Sequence, residues 1–364
     1  MFDEYDGGVF RHWFVVASGW IVCVLGAPLA AQQPPVLQPP RITERVDVAR
    51  VVVDVHVLAA NGAPVTGLNA DNFRAFVDGR PVTIERVRWT TEAVADRERT
   101  SGAGAGGSRD EARFGLPSGR QIVLFVQRDL EPTRFQGLVA MLRRAHGFLE
   151  ALGPDDRVAV VSFQSHLDLW SDYTTDRKVL SDLVDRQLLT GSPPSALPPV
   201  DGLSLARYFD RDAGRRAAAI EAALVVLGRA LDKLPGEKTV VLFGFGFGRW
   251  STGAGGSHIS IEPEYGEAKR LLTRARATVF CLDITDADDH TLAAGLKLVA
   301  ADTGGFFVRT NTWPGLAMNH LVGALAGRYE LAFVRPDLPR GEHAIRIELV
   351  GRQGTVLARG SYRD

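Results

Sequence analysis

From Gln121 to about residue 312 the chain repeats one pattern: a short apolar run, then a longer stretch with apolar residues at helical spacing. The runs at 122–126, 157–163, 239–243 and 278–283 are too short for helices and too continuously apolar for strands with one wet face. Between them, Phe135, Leu138, Leu142, Leu149 and Leu152 share one helical face, as do Ile220, Leu224, Leu227, Leu231 and Leu234. Strands alternating with helices require right-handed crossovers and a mostly parallel sheet covered on both sides. The expected fold is therefore α/β and doubly wound, with its ligand face at the carboxyl ends of the strands.

The flanks read differently. Residues 51–58, 73–78 and 82–89 have strand character, with turns at Asn61-Gly62 and Asp78-Gly79. This stretch of roughly 45 residues is too small to bury a core alone. Clean alternation returns at 329–334, 343–350 and 355–362, as in antiparallel strands with one solvated face. We expect an accompanying antiparallel β-sandwich in which 43–92 forms the N-terminal half. Residues 313–364 would supply a connecting helix and the completing C-terminal strands. The α/β domain, 119–312, would be inserted between the halves, after a Gly/Ser/Ala-rich linker at 93–118.

Residues 12–31 form an apolar run ending in small residues, the layout of a secretory signal. Asp3, Glu4 and Asp6 precede it, and the run is also long enough to remain as an anchor, so 1–31 is expected to be a signal peptide or membrane anchor. A Pro-rich tether, 32–42, follows. The expected location is extracytoplasmic: secreted, periplasmic or anchored, with membrane contact only through an uncleaved N-terminal segment. Once 1–31 is removed Cys281 is the remaining cysteine, in an apolar run where a buried inert thiol is expected. A net charge of −1 with evenly mixed signs leaves no basic stripe, which argues against nucleic acid as a partner.

One ordered set of motifs links these parts. It opens with ValAspValHisValLeu (53–58) and PheArgAlaPheValAsp (73–78), and continues through GlnIleValLeuPheVal (121–126) and AspAspArgValAlaValValSerPhe (155–163). LysThrValValLeuPhe (238–243), AlaThrValPheCysLeuAsp (277–283), AspThrGlyGly (302–305), TyrGluLeuAlaPhe (329–333) and AlaArgGlySerTyr (358–362) complete it. In this order they resemble the von Willebrand factor A-like (VWA) proteins of Acidobacteria, over roughly residues 45–364. The resemblance implies a VWA domain beside β strands, and recognition of another macromolecule outside the cytoplasm. It also implies a divalent cation, such as Mg2+, in an Asp-x-Ser-x-Ser loop after the first α/β strand, completed by a distant Thr and Asp.

This chain departs from that metal motif at each element. Gln127 stands where the first Asp belongs, and Asp129 and Glu131 replace the serines. Gly244-Phe245-Gly246-Phe247-Gly248 supplies no carboxylate, and the loop at 189–199 has Thr190 but is Pro-rich. The motif thus reads as degenerate, with Asp129 and Glu131 as its possible remnants, or as ordinary acids at a helix start. The glycines at 244–248 lack the spacing of a nucleotide loop, and the sequence offers neither a Gly-x-Ser-x-Gly elbow nor paired histidines at metal spacing.

The resulting expectation is an exported, non-enzymatic binding module without a cofactor. Its loops at 127–133, 190–210 and 244–258 would meet a protein or cell-envelope partner through Gln127, Arg128, Phe245, Phe247, Arg249 and Trp250. The alternative for the aromatic residues is that they fold back onto the sheet. Two alternatives remain: adhesion through Mg2+ or Ca2+ held by a rearranged acidic cluster at Asp129 and Glu131, and a hydrolase with an unrecognised site.

Overall fold

The computed structural model describes residues 50–91, 119–198, 202–253, 256–261, 263–287, 290–311 and 314–363, with backbone alone at 250–253 and 256–259. The expected signal or anchor, tether and linker lie outside the described residues. Among the described residues no helix is long and apolar enough to cross a membrane.

Four strands come first: β1 (Arg50–Leu58), β2 (Phe73–Val77), β3 (Arg80–Val82) and β4 (Ile84–Thr90). The α/β part then runs β5 (Gln121–Gln127), α1 (Pro132–Ala151), β6 (Arg157–Phe163), β7 (Leu167–Thr174) and α2 (Arg177–Asp182). A π turn, Leu183–Gln187, and a last helical turn, Leu188–Thr190, prolong α2. Next come α3 (Arg211–Arg216), α4 (Ile220–Leu231), β8 (Lys238–Gly244), the hairpin β9 (Arg249–Gly253) and β10 (Gly256–Ser260), and α5 (Glu264–Arg274). Then follow β11 (Ala277–Asp283), α6 (Ala293–Thr303), β12 (Phe307–Arg309) and α7 (Pro314–Ala326). The chain closes with β13 (Arg328–Val334), β14 (Glu342–Leu349), β15 (Thr355–Ala358) and β16 (Ser361–Arg363).

The central sheet has the order β12-β11-β8-β5-β6-β7 and is parallel except for the β6–β7 hairpin. All seven residues of β5 are buried, because helices cover both faces. On one face Val123 and Phe125 pack with Leu224 and Leu227 of α4 and Leu272 of α5. On the other, Ile122, Leu124 and Val126 pack with Leu138 and Leu142 of α1 and Leu321 of α7. The winding reverses between β5 and β8, so their carboxyl ends flank the crevice where doubly wound sheets place their ligands.

Two antiparallel sheets accompany this sheet, ordered β15-β1-β13-β4 and β16-β14-β2-β3. The chain leaves them after β4 and returns as β13, which pairs with both β1 and β4. Val53, Val55, Leu331 and Phe333 of one sheet share a core cluster with Phe73, Val77 and Ile345 of the other. The expected single strand at 355–362 is instead two: β15 pairs with β1, and β16 pairs with β14.

Candidate functional site

At the end of β5, a strand covered on both faces, Gln127 is buried like the residues before it and is 3% exposed. Both ends of its amide bind the loop after β8. Oε1 accepts from the N–H groups of Phe245 (3.0 Å) and Gly246 (3.2 Å), and Nε2 donates to the Gly246 carbonyl (2.8 Å). Gly246 holds φ +112°, and a Cβ there would collide with the Leu292 carbonyl, so the loop needs glycine at this point. The Leu292 carbonyl also accepts from the Phe247 N–H. The crevice floor is therefore built from neutral hydrogen bonds.

Asp129 and Glu131 follow on the loop into α1. Glu131 is the N-cap of that helix, accepting from the Arg134 N–H at 3.2 Å and from the Thr133 hydroxyl. Asp129 accepts from the Glu131 N–H at 3.1 Å and from the Arg134 guanidinium, which also reaches Glu131 at 3.9 Å. One arginine thus serves both acids. Partial burial would raise the Asp129 pKa, but the Arg134 hydrogen bond and neighbouring N–H groups outweigh it and hold the carboxyl below its ordinary value. The Thr133 hydroxyl and nearby N–H groups do the same for Glu131. The Arg134 guanidinium also lies 4.2 Å from the Phe245 ring centroid, so the half-buried ring supports the cation from below.

Arg128 turns away from this group. It is half-buried, its Nη2 donates to the Leu189 carbonyl at 3.4 Å, and its guanidinium stands 5.5 Å from the Trp170 ring centroid. Burial lowers its pKa, and Asp168 opposes that shift. Leu130, 74% exposed, forms the tip of the loop.

The structure therefore gathers Gln127, Asp129, Glu131 and Phe245 into one contact set, with Arg128 beside it. Phe247 requires correction as a partner contact. It is 4% exposed and packs in the sheet core with its ring 5.9 Å from Tyr265, because the Leu292 anchor turns this part of the loop inward. Gln127 is likewise buried and meets the loop rather than solvent. Arg249 is exposed at the start of β9, and the Trp250 side chain lies outside the described residues. The expected loop at 244–258 is a tight turn followed by the β9–β10 hairpin.

Arg134 and Leu130 escaped the sequence reading, since an arginine two residues into a helix carries no motif. A pair joining a buried acid to a half-buried histidine also went unseen: Asp283, at the carboxyl end of β11, accepts from His290 Nε2 at 2.8 Å and from the Thr285 N–H at 3.0 Å. The grouping nearest to a hydrolase site is Ser165, His166 and Asp168, with His166 Nδ1 3.0 Å from the Ser165 hydroxyl and its Nε2 3.1 Å from Asp168. These are near neighbours on an exposed hairpin turn, with the His166 side chain 43% exposed, which is poor shelter for a nucleophile.

No protein-family model matches the chain, and no curated protein matches it either. Among solved structures it is similar to an aerotolerance-related membrane protein from Bacteroides fragilis, at 12% identity and TM-score 0.37, covering 57% of this chain and 98% of that one. It is similar to the conserved hypothetical protein BatB from Bacteroides thetaiotaomicron, at 14% identity and TM-score 0.36, with the same 57% and 98% coverage. It is also similar to a von Willebrand factor type A structure from Catenulispora acidiphila, at 10% identity and TM-score 0.40, covering 87% of this chain and 72% of that one. Likenesses this distant carry no functional weight, and the α/β assignment stands on the chain's own strand order.

Proposed function

We propose that the chain is an exported, non-enzymatic VWA-like protein of the kind seen in Acidobacteria, whose rim loops hold a protein or cell-envelope partner without a bound metal. The observation that carries the metal-free part is Arg134, whose guanidinium serves both Asp129 and Glu131. A divalent cation would have to displace that guanidinium. It would also find at Gln127 a neutral amide whose oxygen already accepts two N–H groups. These residues do not fit the hard-cation site of the resembling family. Leu130 at the rim supports a macromolecular partner, since a large apolar side chain at a loop tip is the kind of group an interface buries. Export rests on the apolar run at 12–31.

We also read the two antiparallel sheets as one sandwich, formed by 43–92 and 313–364 around an inserted 119–312 domain. Their shared core supports this reading.

Calorimetric titration with Mg2+, Mn2+ and Ca2+ tests the absence of metal: no saturable heat is expected. Saturable heat that disappears in Asp129→Ala would establish the alternative, metal-dependent adhesion through the acidic cluster. A photo-crosslinking residue at position 130, compared with one at exposed Asp155, tests the rim in cells of the source organism. Crosslinks are expected at 130, and an equal yield at 155 would remove the rim as the contact face.

A further inference from the structure

We infer that the cleft between α5 and the C-terminal strands is a second binding site, which takes a small organic phosphate ester. The cleft holds about 320 Å3, a volume that suits a small molecule. One wall is α5, whose lining residues Glu267, Arg270, Leu271 and Arg274 recur at helical spacing and so share a face. The other wall is Glu342 at the start of β14, with Ser361, Tyr362 and Arg363 of β16. The cleft thus lies where the α/β part meets an antiparallel sheet, the kind of join at which small-molecule sites preferentially form.

Four cations line the cleft, Lys269, Arg270, Arg274 and Arg363, against two carboxylates, Glu267 and Glu342. Both carboxylates are already served. Arg229 reaches Glu267 from α4 at 2.7 Å, and Lys269 lies 3.5 Å from Glu342 and 3.1 Å from Asp302. The Ser361 hydroxyl donates to Glu342 at 2.9 Å, and with Lys269 it holds that carboxyl below its ordinary value against partial burial. Burial would lower the Lys269 pKa, but Asp302 and Glu342 outweigh it and hold the amine above its ordinary value. Arg274 is taken by Asp232, outside the cleft. Arg363 stands opposite Glu342 in the β14–β16 register and adds to its attraction, yet neither Arg363 nor Arg270 is in an ion pair among the described residues.

Two guanidiniums, one on each wall, are therefore left for a ligand, and they select an anion. A carboxylate offers one flat edge, which a single guanidinium fork fills. A phosphate monoester carries close to two charges and three free oxygens, enough to engage a fork from each wall. The same cleft has an apolar part for the ester's organic group. Leu271 and Tyr362 line it at 9% and 8% exposure, and the Tyr362 ring packs against the His343 ring with centroids 5.3 Å apart. The alkyl stems of Lys269 and Arg270 extend that surface.

Calorimetric titration of the full chain with phenyl phosphate, at about pH 7.5 where the ester is largely dianionic, tests the site. Benzoate and inorganic phosphate are the controls. Phenyl phosphate should saturate and bind about tenfold more tightly than either, since benzoate lacks the second charge and inorganic phosphate lacks the apolar body. Arg270→Gln and Arg363→Gln, both at exposed positions, should each weaken phenyl phosphate about fivefold and leave Tm unchanged. Arg352→Gln, at an exposed position that does not line the cleft, should leave the affinity unchanged. No saturation, equal affinity for either control, an unchanged affinity in either cleft variant, or an equal loss in Arg352→Gln would overturn the site. The rim is tested by crosslinking at 130, so either reading can fail without the other.

Discussion

Gln127 uses its side-chain amide to fasten a loop, so its removal should be felt as lost stability. Gln127→Ala would leave the N–H groups of Phe245 and Gly246 and the Gly246 carbonyl without their partner at a buried position. The expected cost is about 3 kcal/mol, read as a lower urea midpoint with an unchanged slope. An unchanged midpoint would mean the loop is held by the Leu292 contact alone. Lys238 makes a second prediction. It is 3% exposed, donates to the Leu234 (2.5 Å) and Ala275 (3.0 Å) carbonyls, and burial pushes its pKa down to about 8. The unfolded chain keeps this amine protonated to a higher pH, so between pH 8 and about 10.4 the unfolded state binds more protons and stability rises with pH. The buried charge costs about 3 kcal/mol below that window and is relieved through it. Stability of wild type relative to Lys238→Met should therefore increase from pH 8 to 10, and a flat difference would refute the shift. A polar residue closing an apolar run at 127 is visible in the sequence. Its three hydrogen bonds are not, because they join residues more than a hundred positions apart.

At the level of elements, β5, β6, β8 and β11 are legible because burial on both faces demands an unbroken apolar run, which leaves a mark in the sequence. β7 carries Asp168, Ser171 and Asp172, and its place depends on loop N–H groups that satisfy Asp172 from residues 205 and 206. Only the fold supplies those donors, so nothing local marks β7 as a strand. α7 shows a different dependence. Gly323 packs against the turn at Gly62, and a Cβ at 323 would collide with the Gly62 carbonyl. Alanine favours the helix by about 1 kcal/mol, while overpacking a fixed contact costs about 1–3 kcal/mol and involves backbone here. Gly323→Ala should therefore destabilise the protein by about 2 kcal/mol, seen as a lower Tm. A raised Tm would show that the turn at 59–63 yields to the helix.

Across the whole molecule, the antiparallel sheets meet the α/β part through charges as well as apolar packing. Arg328 on β13 donates to Asp54 on β1 (2.9 Å) and reaches Glu237 just before β8 (2.5 Å), while Arg276 joins Glu237 from the other side. Arg276 and Arg359 lie 3.8 and 3.7 Å from Asp54. Burial would raise the Asp54 pKa, but these guanidiniums outweigh it and hold the carboxyl below its usual value; burial and the nearby Asp54 charge push Glu237 up. None of this can be read from spacing, since it gathers residues 54, 237, 276, 328 and 359. Arg328→Ala would leave two largely buried carboxylates short of a partner. The expected cost is about 3 kcal/mol, at the low end for a broken buried pair because water still reaches these side chains. The loss should fall on the join, so the single calorimetric transition expected of wild type should broaden or split in the variant. Asp54's stabilising share is present above the ordinary carboxylate pKa and is lost as pH falls through its depressed folded value. Wild type should consequently lose its advantage over Arg328→Ala in acid. A variant that melts in one unshifted transition would mean that the apolar contacts, such as His56 edge-on to Phe280 at 5.9 Å, hold the two parts together without the ion network.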